Sequence, residues 1–125
     1  MNKIDLNKTT LRELNSRLQH SKENENWLVT NPKGNHALAV GLDNFINVKI
    51  DGSTGYYFAG MNKKASIQVN GSVGPGVAEN MMSGKLVVEG NASQYAGATG
   101  HGGSLVIKGN ASSRCGISMK GINII

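Results

Sequence analysis

Hydrophobic and polar positions follow one rule through most of this chain. Val48, Ile67, Leu86 and Leu105 recur every 19 residues, and Ile50, Val69, Val88 and Ile107 recur two positions later. Between and after them stand polar or variable residues, among them Asp51, Asn70, Glu89 and Lys108. Apolar side chains at every second position predict short strands with one face turned inward. Each strand is closed by a glycine, at Gly52, Gly71, Gly90 and Gly109. The phase continues past that turn. Ser53, Ser72, Asn91 and Asn110 follow the glycines, and Phe58, Val77, Ala96 and Cys115 form a column of falling size.

Four repeats in phase without an insertion predict a solenoid. A βαβ unit needs about 30 residues, so it does not fit this period. The spaced leucines of a leucine-rich repeat and the six-residue sub-period of a left-handed β-helix are both absent. The reading is all-β: a right-handed parallel β-helix of about four 19-residue coils. Equivalent residues then stack about 4.8 Å apart, and glycine at the turns lets neighbouring backbones approach closely.

The first third reads differently. Leu11, Leu14 and Leu18 share one face of a helix from about Thr9 to His20, and Thr10 and Glu13 have capping-box spacing. Trp27-Leu28-Val29 predicts a strand, stopped by Asn31-Pro32-Lys33-Gly34, and a second apolar stretch runs from His36 to Leu42. A helix this short needs support, and the end of the repeat region is the expected surface. The organisation is therefore a helix and capping segment over residues 1–46 and a glycine-repeat β-helix over 47–125.

Composition sharpens this picture in two ways. Aromatics are only 5% of the 125 residues while Gly numbers 17, which fits thin stacked layers better than an aromatic-rich core. The net charge of +5 comes from scattered lysines and arginines without interleaved aromatics, so a nucleic-acid platform is not expected. Cys115 is the only cysteine, and no apolar run reaches membrane-spanning length. Residues 1–6 lack a signal-peptide core, and the expected location is cytoplasmic.

Candidate chemistry is sparse. Gly97 to Gly103 and Gly71 to Gly76 look like phosphate loops, but neither leads into a helical pattern. His20, His36 and His101 lie far apart and have no ligand-spaced Cys or Asp. Cys115 falls in the inward column and reads as a buried thiol. Asp51 and Glu89 share a column two coils apart and read as solvated charges. No catalytic, cofactor or metal residues are assigned. One stripe stands out: Met61-Asn62, Glu79-Asn80-Met81-Met82 and Met119-Lys120 share a phase. Methionines at this spacing fill a core or form an adaptable partner surface, and both readings stay open.

Three segments resemble a known family. Gly55-Tyr56-Tyr57-Phe58-Ala59-Gly60-Met61-Asn62, Val77-Ala78-Glu79-Asn80-Met81-Met82-Ser83-Gly84 and Arg114-Cys115-Gly116-Ile117-Ser118-Met119-Lys120-Gly121 resemble the glycine-repeat (GXGXG) domain. That domain forms the C-terminal β-helix of the glutamate synthase large subunit. The segment Trp27 to Leu42, with Asn31-Pro32-Lys33-Gly34-Asn35-His36-Ala37-Leu38, is similar to the entry segment of its stand-alone form, the small subunits of N-methylglutamate synthase, or methylamine–glutamate N-methyltransferase. The resemblance implies a non-catalytic structural subunit of an oxidoreductase or transferase complex in glutamate or methylamine metabolism. Its expected partners are a glutamine-amidotransferase-like subunit and an FMN-binding synthase-like subunit, which would carry the FMN and iron–sulfur clusters. Stand-alone members continue for several more coils, whereas this chain stops at Ile122-Asn123-Ile124-Ile125. That departure implies a truncated or split product, completed by a second fragment or a partner surface. The competing classes are a free-standing interaction module and a β-helix carbohydrate-active enzyme, which would need an acid-lined groove.

Overall fold

The computed structural model describes residues 2–56, 58–74, 76–77, 81–92, 102–109 and 123–124. Seven parallel strands form a single sheet whose order is the sequence order: β1 (Asn2–Asp5), β2 (Asn26–Thr30), β3 (Asn47–Asp51), β4 (Ser66–Val69), β5 (Lys85–Val88), β6 (Ser104–Ile107) and β7 (Asn123–Ile124). Each strand pairs with the next one along the chain, so every connection is one coil of a β-solenoid.

Register explains why these residues form strands. Ile4, Val29, Ile50, Val69, Val88 and Ile107 are aligned in successive strands and all are buried. Val48, Ile67, Leu86 and Leu105 make a second buried ladder, with Ile124 in register beyond Leu105. β-branched and leucine side chains suit such a pleated, one-sided surface. Burying each of them contributes about 1.5–3 kcal/mol relative to exposure. A one-residue slip would turn both ladders outward, so the hydrophobic pattern fixes the register.

The repeat extends further toward the N-terminus than its 19-residue phase reveals. Residues 2–5, read from sequence only as a polar N-terminus, form β1. Trp27 pairs with Val48 and Val29 with Ile50, an offset of 21. The offset is 20 where His36 meets Tyr56 and 19 at β3 and β4. One extra residue therefore lies on each side of the 33–42 loop. In that loop Leu38, Ala39 and Leu42 are fully buried, while Ala37, Ala39 and Gly41 take positive φ values.

The helix α1 (Leu11–Gln19) lies within the first coil. Thr10 caps its start by accepting a hydrogen bond from Glu13 N–H (3.2 Å). The capping box is only half formed, because the Glu13 carboxylate pairs with Arg17 (2.9 Å). Leu14 and Leu18 are fully buried in the same core as the strand ladders. Asn15 clamps the helix to the following coil, donating to Ala37 O (2.9 Å) and accepting from Ala39 N–H (2.7 Å). Asn44 closes the other end, its Nδ2 donating to Leu18 O (3.0 Å) and Ser21 O (2.9 Å). Leu18 O is among the last-turn carbonyls that a helix end leaves without an i+4 partner.

Carboxylates tie β1 to the rest of the sheet. Asp5 accepts from Asn31 Nδ2 (2.8 Å) and Asn7 N–H (2.9 Å), and these bonds hold its carboxyl below the ordinary range. Glu25 accepts from Asn2 Nδ2 (2.6 Å) and Lys22 N–H (3.0 Å), with the same effect. A depressed carboxyl contributes stability above its unfolded-state pKa, and that contribution is lost as pH falls through the folded value. β1 is therefore expected to loosen first in acid, below about pH 4. Trp27, the neighbour of Asn2 in the sheet and the only tryptophan, should report this by fluorescence before the far-UV circular dichroism changes. Asp5→Asn should remove part of the acid transition.

Candidate functional surface

The solenoid's outer surface is built from contacts between coils. Past each turn, a hydroxyl from one coil accepts the N–H of the next. Ser72 N–H donates to Ser53 Oγ (3.1 Å) and Asn91 N–H donates to Ser72 Oγ (3.1 Å). Below the turn, Asn70 Nδ2 donates to Asp51 Oδ1 (2.7 Å), and Gly52 N–H donates to Asn70 Oδ1 (2.8 Å). One coil further on, Glu89 accepts from Gln68 Nε2 (2.9 Å) and pairs with Lys108 (3.3 Å). Asp51 and Glu89, read from sequence as solvated charges, thus serve as rungs between coils. Exposed ion pairs of this kind add at most about 1 kcal/mol each. Their main effect is on register, since every partner lies one coil away.

The turn glycines are required by space more than by backbone conformation. A Cβ on Gly71 would lie 2.5 Å from Gly52 O, and one on Gly90 would lie 2.7 Å from Gly71 O. The same backbones hydrogen bond directly, Gly90 N–H to Gly71 O (3.1 Å) and Gly109 N–H to Gly90 O (3.0 Å). Gly52, at the start of the column, does need its left-handed φ of +135° and would meet Pro32.

The methionine stripe divides between core and surface. Met81 is fully buried, whereas Met61 and Met82 are more than two-fifths exposed. Asn62 is also fully buried, so it and Met81 present nothing to a partner docked on this surface. Asn62 braces the turn into β4: its Nδ2 donates to Ala65 O (2.9 Å) and its Oδ1 accepts from Ala65 N–H (3.2 Å). Asn62→Ala leaves the N–H of buried Ala65 without its partner, Ala65 O keeping Lys85 N–H (3.1 Å), at a cost of roughly 2 kcal/mol. Chemical denaturation should show that loss in the midpoint, and Asn62→Leu should not recover it, because volume alone cannot replace the bonds. Glu79, Asn80, Met119, Lys120 and Cys115 lie outside the described residues.

The outward part of the stripe sits beside further exposed apolar and basic groups. Met82 N–H donates to Asn62 O (2.8 Å), which sets Met82 one coil beyond Lys63. The neighbouring Lys64 reaches back over the Phe45 ring (5.4 Å) and pairs with Asp43 (3.8 Å). Phe45, at 59% exposed, is the most exposed large hydrophobic residue among those described. At the other side of the coil, Tyr56 stacks on His36 with ring centroids 4.0 Å apart, and Tyr56 N–H donates to His36 Nδ1 (3.0 Å). That bond fixes the histidine proton on Nε2. His36 therefore serves the stack, and His20 bonds Ser16 O within its own helix.

A depression of about 170 Å³ is lined by Asn26, Trp27, Asn47, Val48, Lys49, Ser66 and Gln68. It falls below the roughly 300–1,000 Å³ of ordinary ligand clefts. Among the described residues no group of three or more His, Cys, Asp or Glu could hold a metal ion. No helix among them is long and apolar enough to cross a membrane.

These features define the class: an all-parallel β-solenoid with one short helix among the described residues, several of whose outward side chains bind neighbouring coils. Comparison with known proteins adds one relative. Protein GlxC of Rhizobium meliloti (strain 1021) is 62% identical to the chain over 62 residues, a stretch covering 47% of this chain and 27% of GlxC. No protein-family model matches the chain, and no solved structure matches it.

Proposed function

We propose that the chain is a non-catalytic structural component of a glutamate-synthase-like complex, of the N-methylglutamate synthase type, in the cytoplasm. The observation that carries this reading is the in-register glycine stack. Its repeats resemble the glycine-repeat domain, and the chain is similar to GlxC over 47% of its length. In this reading a glutamine-amidotransferase-like subunit and an FMN-binding synthase-like subunit dock on the solenoid. The partners hold the FMN and iron–sulfur clusters, and the solenoid sets the distance between them. Met61 and Met82 supply adaptable apolar contact on the outside of the stripe.

The test is co-purification of the tagged chain expressed with amidotransferase-like and synthase-like subunits encoded beside it. Recovery of a yellow complex containing both is the expected result. Met82→Asp places a charge in the contact while leaving the core untouched, and should reduce recovery roughly tenfold or more if Met82 is central to the interface. Recovery of the chain by itself would overturn the assembly reading. Bound flavin or turnover by the isolated chain would favour an enzyme instead.

A further inference from the structure

Two chemically labile steps are stacked on each other in this solenoid. Asn70-Gly71 is the only Asn-Gly in the sequence and Asp51-Gly52 the only Asp-Gly. They stand 19 residues apart, one coil above the other. In an Asn-Gly step, the glycine nitrogen attacks the asparagine Cγ. The N–C bond closes a five-membered succinimide, the nitrogen loses its proton and the side-chain amide leaves as ammonia. Water then opens the ring at either carbonyl, giving aspartate or isoaspartate. An Asp-Gly step follows the same route with water as leaving group.

The fold engages the groups this chemistry needs. The Asn70 side chain is exposed, yet it is turned to the coil below, with Nδ2 on Asp51 Oδ1 (2.7 Å) and Oδ1 on Gly52 N–H (2.8 Å). Its Cγ is thereby held toward the coil below, while its own attacking nitrogen belongs to Gly71. Gly52 N–H, the nucleophile that would close a ring on Asp51, is itself donated to Asn70 Oδ1. Each step occupies an atom that the other needs.

We propose that Asn70-Gly71 is a latent deamidation site silenced by Asp51-Gly52, the two steps forming a mutually locking pair. The site matters to the fold because isoaspartate inserts an extra main-chain carbon between residues 70 and 71. Gly71 has no room for an added atom, its missing Cβ position lying 2.5 Å from Gly52 O. Deamidation without isomerisation is also disruptive: it faces the Asp51 carboxylate with a second carboxylate in place of an amide donor.

The experiment follows ammonia loss by mass spectrometry of the tryptic peptide running from Ala65 to Lys85. Full-length wild type, Asp51→Ala and Asn62→Ala are incubated in mildly alkaline buffer, with and without denaturing urea. Asp51→Ala should deamidate at Asn70 roughly tenfold or more faster than wild type when folded, the factor expected for losing a charge-assisted hydrogen bond. In urea all three rates should converge. Asn62→Ala lowers stability away from the pair, and it should remain slow where most molecules are folded. Equal rates for folded wild type and Asp51→Ala overturn the proposal. So does equal acceleration by Asn62→Ala at matched stability, since protection would then come from global folding and not from the locking pair. A folded wild type as fast as its unfolded form overturns it as well.

Discussion

Gly90→Val is expected to lower the stability of the chain by about 3 kcal/mol or more, near the upper end for overpacking. Gly90 lies mid-column, bonded through its N–H to Gly71 below and through its carbonyl to Gly109 above. A Cβ there would sit 2.7 Å from Gly71 O and from Ser72 Oγ, and 2.8 Å from Gly71 C. Two of those three atoms are backbone, and Ser72 Oγ is already accepting from Asn91 N–H. None can move without stretching a bond between coils. Coils stack about 4.8 Å apart, so relief at one position pulls strands β4 and β5 apart over their whole length. Gly34→Ala is the contrast. Gly34 has a positive φ, which Gly90 does not, and nothing lies within 4 Å of its missing Cβ. Its cost should stay near the roughly 1 kcal/mol of a non-glycine residue in that conformation. Urea midpoints of the two variants separate stacking from backbone strain. Equal losses would mean that the close approach has no special role.

The parts of the fold that repeat were legible in the sequence, for a physical reason. A solenoid imposes the same environment every 19 residues, so Val48 through Leu105 and Ile50 through Ile107 carry the register in plain view. The helix was legible too, through its leucine spacing and Thr10. What escaped was whatever departs from the period. β1 has only Ile4 facing the core and reads as polar chain. The coil holding Trp27 carries two extra residues, which hides its alignment with Val48. The methionine stripe was legible only in part. Phase shows which residues share a column but not which way the column faces. Met81 and Met82 are adjacent in sequence, and one is inside and the other outside. The rungs between coils were missed for the same reason. Asp51 and Asn70 look like unrelated surface residues until the stacking brings them to 2.7 Å.

That stacking makes the outer surface less free than its polarity implies. Asn70, Ser72 and Glu89 each bond to a neighbouring coil. A residue at this surface is thus constrained by structure before any partner arrives. Among the described residues, the exposed apolar Phe45, Met61 and Met82 stand apart from that ladder.

Phe58→Ala is expected to cost about 3–5 kcal/mol, the range for removing a large aromatic from a packed core. Phe58 is fully buried and heads the group of large side chains inside the solenoid. It shares its column with Val77, a smaller residue that is also fully buried. Among the described residues no other aromatic ring is fully buried. Relaxation is limited as well, because the backbone around the site is pinned: Ala59 N–H donates to Leu38 O (2.9 Å) and Gly41 N–H to Gly60 O (2.8 Å). The effect should reach both ends of the described core. Buried residues from Ile4 to Ile107 form one continuous cluster that includes Leu14 and Leu18 of α1. A solenoid whose coils were independent would lose only the damaged coil and its neighbours. One shared core predicts a single transition, shifted to lower temperature, with Trp27 fluorescence and far-UV circular dichroism coinciding. If the variant instead unfolds in two steps, with Trp27 retained in the more stable one, then the helix and first coils form a separate cooperative unit and the core is divided at Phe58.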